Sequence, residues 1–314
     1  MFGGSTDYED YYSKHGSLLV GSTIDKYFYS SFRYRPHLLA DESIATYSKI
    51  ERVKDNYNFQ HPLVREILKY YGIKRAIDLH LFGDIPSRTG LGGSSAFCAS
   101  LIYIMCQIGG ENISKKAIAK DAILLERKIL NEAGGIQDQI WASYGGFNYI
   151  EINMDGSFIV KPMPISIEFK NELNQSMVLV YTNENQRTDL IAASHENKNK
   201  ENIQKLAKEG YNAIVNEDIK SAGAILMESW NEKKRLSNLI STYQIDEIAS
   251  QILRNGCYGV KLLGSGGSGF LLGIGNAAAI KKCKLQFTDK ILDFNFEERG
   301  VENVFQSNDY SARY

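Results

Sequence analysis

Apolar and polar residues alternate along Ala76-Ile-Asp-Leu-His-Leu81, which predicts a β-strand with one buried face. His80 falls on the polar face of that strand, as a surface histidine. The strand leads into a Gly/Ser-rich turn over 84–93 and then an apolar run over 97–108, a strand–loop–helix unit. Ile118, Ala122, Leu125 and Ile129 recur at helical spacing behind Ser114, predicting a second helix capped by that serine and reaching Leu130. An aromatic-rich strand is expected over 27–34, and Met177-Val-Leu-Val-Tyr181 reads as a buried strand. Helices are expected around 201–217, 219–238 and 244–254, followed by strands around 257–263 and 268–274. Pro162 and Pro164 open a stretch of changed character over 162–176, where a domain boundary is expected. No repeat or low-complexity tract interrupts this order.

Composition narrows the choice of function. With 36 Lys and Arg against 37 Asp and Glu interspersed over 314 residues, nothing in the charge favours nucleic acid or an anionic membrane. No apolar run is long enough to span a bilayer and no signal peptide is evident, so a cytoplasmic protein acting on small molecules is expected. Cys98, Cys106, Cys257 and Cys283 lack metal-ligand spacing, and three lie in apolar surroundings that suit reduced, buried thiols. The oligomeric state is not readable from these features.

The chemistry concentrates in Pro86-Ser-Arg-Thr-Gly-Leu-Gly-Gly-Ser-Ser-Ala96. Glycines let the backbone curl and approach a ligand, and a helix starting at Ser94 and Ser95 would aim unpaired N–H groups into the turn. Such a turn suits phosphate. The Gly-Lys-Ser/Thr of a Walker loop is absent, and Gly90, Gly92 and Gly93 do not form G-x-G-x-x-G. The segment instead resembles the nucleotide loop of the GHMP small-molecule kinases. Two further segments share that resemblance: Asn131-Glu-Ala-Gly-Gly-Ile-Gln-Asp-Gln139, like the region of the family's catalytic aspartate, and the glycine turn Lys261-Leu-Leu-Gly-Ser-Gly-Gly-Ser-Gly-Phe270. Phe2-Gly-Gly-Ser-Thr-Asp-Tyr8 resembles the second half of the family's first motif. The strand and arginine that precede it in relatives are not in the sequence as given, so a start upstream of Met1 is the expectation.

The resemblance implies an α+β, two-domain fold: a nucleotide-loop domain over 1–165 and a ferredoxin-like domain over 166–314. It implies ATP and Mg²⁺ as cofactors, with Pro86, Gly90, Leu91, Gly92, Gly93, Ser94, Ser95, Gly264, Gly266 and Gly267 on the nucleotide. Glu126, twelve residues before Asp138, matches the family's magnesium glutamate and would share the metal with Ser95. Its neighbour Arg127 would point elsewhere on the helix. Asp138 becomes the catalytic base, and Thr6, Asp7, Gly134, Gly135, Gln137 and Arg187 the acceptor contacts. The Gly3-Gly-Ser-Thr-Asp7 form, Gln137-Asp-Gln139 and Gly145-Gly-Phe-Asn148 look most like the branch acting on D-glycero-D-manno-heptose 7-phosphate. That branch phosphorylates the anomeric hydroxyl to the 1,7-bisphosphate, on the way to nucleotide-activated heptose and surface polysaccharide. The alternatives are another sugar-1-kinase of fucose or galactose type, a kinase for a non-sugar alcohol, or a non-catalytic sugar or nucleotide sensor on the same scaffold.

Overall fold

Three four-stranded sheets organise the described residues of the computed structural model, which are all but 37, 39–40, 87–88, 185–187, 196–197 and 308–314. The first sheet runs Phe296–Glu297, Ser17–Ile24, Phe147–Ile152, Phe158–Pro162, all antiparallel. The second runs Phe28–Tyr34, Ile77–Gly83, Ser43–Thr46, Ile50–Val53, with one parallel pair between Ile77–Gly83 and Ser43–Thr46. Helices Pro62–Tyr70 and Gly93–Ile108 bury Ile67, Leu68, Leu101 and Ile102 against Ile77 and Leu79 of this sheet.

The third sheet lies in the second half of the chain. Its strands Met177–Tyr181, Gly259–Leu262, Phe270–Ile274 and Ile291–Leu292 stand in the spatial order 4-1-3-2, every pair antiparallel. Helices separate the first strand from the second, and Ala277–Gln286 separates the third from the fourth. This is the ferredoxin-like arrangement expected for that half. The helices Glu201–Val215, Ile219–Lys234 and Tyr243–Arg254 match the expected ones to within a few residues. Asp218 and Thr242 cap the last two through bonds to the Ser221 and Ile245 amides.

The chain does not divide cleanly at 165. Phe296–Glu297 returns to pair with Thr23 and Ile24 of the first half. Phe2 bridges to Val20 and packs in one cluster with Ala207, Ala213 and Leu226 of the second half. Gly210 admits that ring, since a Cβ there would lie 2.7 Å from the Phe2 side chain. The two halves therefore share a core beneath the loop carrying Ser5 to Asp7.

Two local details differ from expectation. The helix behind Ser114 is α-helical only over Lys115–Ile123 and continues as a π-turn over Leu124–Ile129, so Glu126 sits where the winding widens. Such single turns recur at functional sites. The helix after the first glycine turn begins at Gly93, with Gly92 left-handed (φ 74°, ψ 17°) at its N-cap, so Ser94 and Ser95 lie within the first turn and do not cap it. Their hydroxyls serve another partner, described below. All four cysteines are buried and unpaired, and His80 is exposed.

Candidate active site

The two glycine turns meet backbone to backbone. A Cβ on Gly90 would fall 2.8 Å from the Leu263 carbonyl and 3.0 Å from the Gly264 Cα, and one on Gly264 would fall 2.4 Å from the Gly90 Cα. Both residues have positive φ, so glycine is required there twice over: for space and for conformation. Gly269 lies equally close beneath the Thr89 main chain. Gly266 and Gly267, expected on the nucleotide, are buried against Ile240 instead, and the Gly267 amide already donates to the Ile240 carbonyl at 2.9 Å. Of the second turn's expected contacts only Gly264 is exposed on the cleft side.

Helix Gly93–Ile108 starts in this contact. No side chain caps it, and Gly93 and Ser94 are exposed, so its first-turn N–H groups and the positive end of its dipole face open space. Pro86 and Leu91 belong to the same turn, the proline exposed and the leucine half-buried against the shared core. The unpaired main-chain amides of this first turn suit a polyphosphate.

One turn further on, the Ser95 hydroxyl donates to Glu126 at 2.8 Å and the Ser94 hydroxyl at 3.3 Å. Gln139 donates to the same carboxylate from helix Gln137–Tyr144. Glu126 is 1 % exposed, and a buried carboxylate persists only with such donors or a cation beside it. One anionic oxygen donor and one hydroxyl fit Mg²⁺, which takes few protein oxygens and completes its shell with water and phosphate. No cluster of three acidic, histidine or cysteine side chains occurs among the described residues, so a metal here would depend on the nucleotide's own oxygens.

Asp138 lies on the second residue of helix Gln137–Tyr144, with its Cβ and Cγ 3.7 Å from the point a Gly92 Cβ would occupy. The side chain is exposed on the cleft while protein crowds it from behind. That crowding, then the Asp7 carboxylate and Glu126, push its pKa up to about 6 against the pull of Arg127 and the Met1 amino group. Asp138 and the first glycine turn therefore stand side by side.

The expected acceptor contacts divide. Gln137 and Gly134 are half-buried, the first beside Gly4 and the second packed on the Arg127 guanidinium. Thr6 and Asp7 are instead enclosed, at 0 % and 1 % exposure. The Thr6 hydroxyl is taken by the Gly3 carbonyl and Ser17, and each Asp7 oxygen by a main-chain amide. Gly135 packs on that carboxylate and faces it, not the cleft. Arg187 lies outside the described residues.

Three further side chains around the site had no signal in the sequence. Arg127 does not point away: it donates to the carbonyls of Glu132, Ala133 and Gly135 and stands 3.6 Å from Glu126, lacing the loop that carries Asp138. Lys233 is buried and donates to the carbonyls of Leu262 and Gly264, at the root of the second glycine turn. Burial and then Lys261 bring Lys233 down to about 7, opposed by Asp7 and Asp138; burial brings Lys261 to about 8. His195 accepts or donates through Nδ1 to the Ser5 hydroxyl at 3.1 Å, while its buried Nε2 has no partner among the described residues. Burial, Lys233 and Lys200 hold it neutral, at about 3.

Comparison with known proteins places this geometry. The family model described as the GHMP kinases N terminal domain matches residues 58–146, and that of the GHMP kinases C terminal region matches 211–287; together they cover more than half of the chain. A D-glycero-alpha-D-manno-heptose 7-phosphate kinase of Campylobacter jejuni is 27% identical over 329 residues, covering 96% of this chain and 95% of that protein. Among solved structures, a D-glycero-D-manno-heptose 1-phosphate kinase from Bacteroides thetaiotaomicron is similar with a TM-score of 0.78 at 20% identity, over 97% of this chain and 96% of the other. A structure titled as a sugar kinase of Campylobacter jejuni is similar with a TM-score of 0.72 at 25% identity, over 96% and 93%.

Two outcomes follow from this arrangement of turns and charges. Gly264→Ala drives the glycine turns apart and is expected to weaken ATP binding by about tenfold or more, roughly 1.4 kcal/mol, with a lowered melting temperature. Calorimetric titration with ATP checks this, and unchanged affinity would mean the turns need not touch. By carboxyl-labelled NMR, Asp138 should titrate near 6, and Arg127→Met should move that midpoint upward because a favourable charge is lost.

Proposed function

The chain belongs to the GHMP kinases, and from that premise we propose that it is an ATP-dependent sugar kinase acting on an anomeric hydroxyl, with D-glycero-D-manno-heptose 7-phosphate as its first candidate acceptor. The observation that carries the proposal is the position of Asp138. It opens on the cleft beside Gly92, at the uncapped start of helix Gly93–Ile108, where an acceptor oxygen and a terminal phosphoryl group can meet. The similarity to a heptose 7-phosphate kinase over nearly the whole of both chains supports the choice of acceptor.

The division of labour follows from phosphoryl-transfer chemistry, in which positioning and charge stabilisation supply most of the rate. Backbone N–H groups of the first glycine turn hold the triphosphate, and Gly264 closes over it from the other half of the chain. Ser95 and Glu126 would hold Mg²⁺, which when bound neutralises phosphate charge. Asp138 accepts the proton of the attacking hydroxyl. With a pKa of about 6 it is mostly ionised at neutral pH and still basic enough to take a proton. Lys233, anchored on the Leu262 and Gly264 carbonyls, stands within electrostatic reach of Asp7 and Asp138 and, brought down to about 7, is partly protonated at neutral pH.

Three measurements test this. Release of ADP from ATP and Mg²⁺, assayed over a panel of sugars and sugar phosphates, should be fastest with the heptose 7-phosphate. Turnover with none of them, alongside clear ATP binding, would favour a sensor. Asp138→Asn should lower kcat by about 10²–10⁴-fold with ATP affinity kept, as expected for a lost general base. The wild-type rate should fall as the pH drops through about 6, since the folded-state carboxylate is then protonated and cannot act as a base.

A further inference from the structure

On the proposed reading of Ser95 and Glu126 as holders of Mg²⁺, we infer that Gln139 is the positioning residue of that cation site. Its amide nitrogen fixes the Glu126 carboxylate, and its Oε1 accepts from a water carried by the bound metal. Gln139 is the third residue of helix Gln137–Tyr144 and follows Asp138 directly, yet the two differ in setting. Asp138 is exposed, whereas Gln139 is 0 % exposed. The Ser143 hydroxyl donates to the Gln139 main-chain carbonyl at 2.8 Å and steadies this end of the helix. A glutamine amide has a donor end and an acceptor end, and here they are used unequally. Nε2 donates to Glu126 Oε2. Reversing the amide would set its oxygen against a carboxylate, so the charge on Glu126 dictates which end is which. Oε1 is buried and has no hydrogen-bond partner among the described residues. Burying such an oxygen without a donor is costly, and in a native interior it points to a water or to the ligand shell of an ion.

The partners of Glu126 identify the missing donor. The two ends of one amide lie side by side, so whatever meets Oε1 stands immediately beside that carboxylate. Arg127 is the cation nearest to Glu126, at 3.6 Å, but its N–H groups go to the carbonyls of Glu132, Ala133 and Gly135. Ser95 and Ser94 donate to Glu126 at 2.8 and 3.3 Å. A hydroxyl that ligates a cation turns a lone pair toward it and its hydrogen away, so Ser95 gives up that bond when metal is held. Gln139 is then the buried donor that keeps Glu126 in place. Mg²⁺ held by few protein oxygens keeps several waters, and a cation strengthens the donors of its waters. A neutral, buried acceptor next to the ligating carboxylate suits such a water and repels an anion. Hydrogen bonds of this kind orient a metal's ligands and tune its affinity.

Carbon NMR of wild-type protein, labelled at the side-chain carbonyl carbons of Glu and Gln, tests this without an acceptor. When Mg²⁺ is added to the ADP-bound protein, the Glu126 and Gln139 carbons should both shift, and Gln139 should respond to the metal and not to ADP alone. A Gln139 carbon unmoved by Mg²⁺ while Glu126 shifts would overturn the inference and leave the metal reading standing. If neither carbon moves, the metal reading itself fails and the inference falls with it. Gln139→Met keeps most of the volume and removes both polar ends. It is expected to weaken Mg²⁺ binding to the ADP complex by about 10–100-fold, with ADP affinity in EDTA kept within about threefold. Calorimetric titration reads both affinities, and the melting temperature shows that the variant is folded. Unchanged Mg²⁺ affinity, or an equal loss of ADP affinity with and without metal, would mark a merely structural side chain and overturn the inference. The carbon shifts need no variant, so they decide the matter if Gln139→Met does not fold.

Discussion

Backbone segments in this protein meet at distances that no side chain would permit, and the candidate site exists because of those contacts. Gly90 and Gly264 touch from opposite halves of the chain, Gly269 lies under Thr89, and Gly135 leaves room for a carboxylate. Each contact turns an absent methyl into a joint between distant segments. The first glycine turn, the second glycine turn and Asp138 are therefore parts of one packed arrangement, although some 170 residues separate Gly90 from Gly264. Packing density explains the severity: a filled interior cannot absorb an added atom by yielding slightly.

Charge is organised around the same joints. Asp7, Glu126 and Asp138 stand close together, and three like charges would repel without compensation. Arg127 lies between Glu126 and the loop carrying Asp138, while Lys233 reaches the region from the second half of the chain. The three carboxylates are not equivalent. Glu126 is wrapped in hydroxyl and amide donors and Asp7 in main-chain amides, while Asp138 is the exposed one of the three; burial raises the proton affinity of Asp7 and Asp138 alike. Environment has thus set three similar side chains apart.

This sorting marks where the sequence was legible. The strand–turn–helix around the first glycine turn, the helices of the second half and its 4-1-3-2 sheet follow from periodicity, caps and the family resemblance. Ser95 and Glu126 are brought together as the spacing of the motifs implied, and Asp138 stands beside the glycine turn. Gly266 and Gly267 resemble the glycines of a ligand loop, yet they turn inward on Ile240. Thr6 and Asp7 carry polar groups suited to a sugar and spend them on main-chain partners. Arg127 was expected to point elsewhere on the helix; it lies in the π-turn at Leu124–Ile129 and bonds to the carbonyls of the 132–135 loop.

The sequence by itself determined the local events: which stretches coil, where glycine is needed for a left-handed turn, and which residue types gather near phosphate. These depend on neighbours a few residues apart, so short-range pattern carries them. Tertiary structure alone decided which polar atoms remain for a ligand after the fold has used the others. That choice depends on partners such as Lys233 and Gly264, Asp7 and Gln137, or Phe2 and Gly210, each pair far apart in sequence. Hydrogen bonding and exclusion act at a few ångströms, and only the folded chain sets those distances.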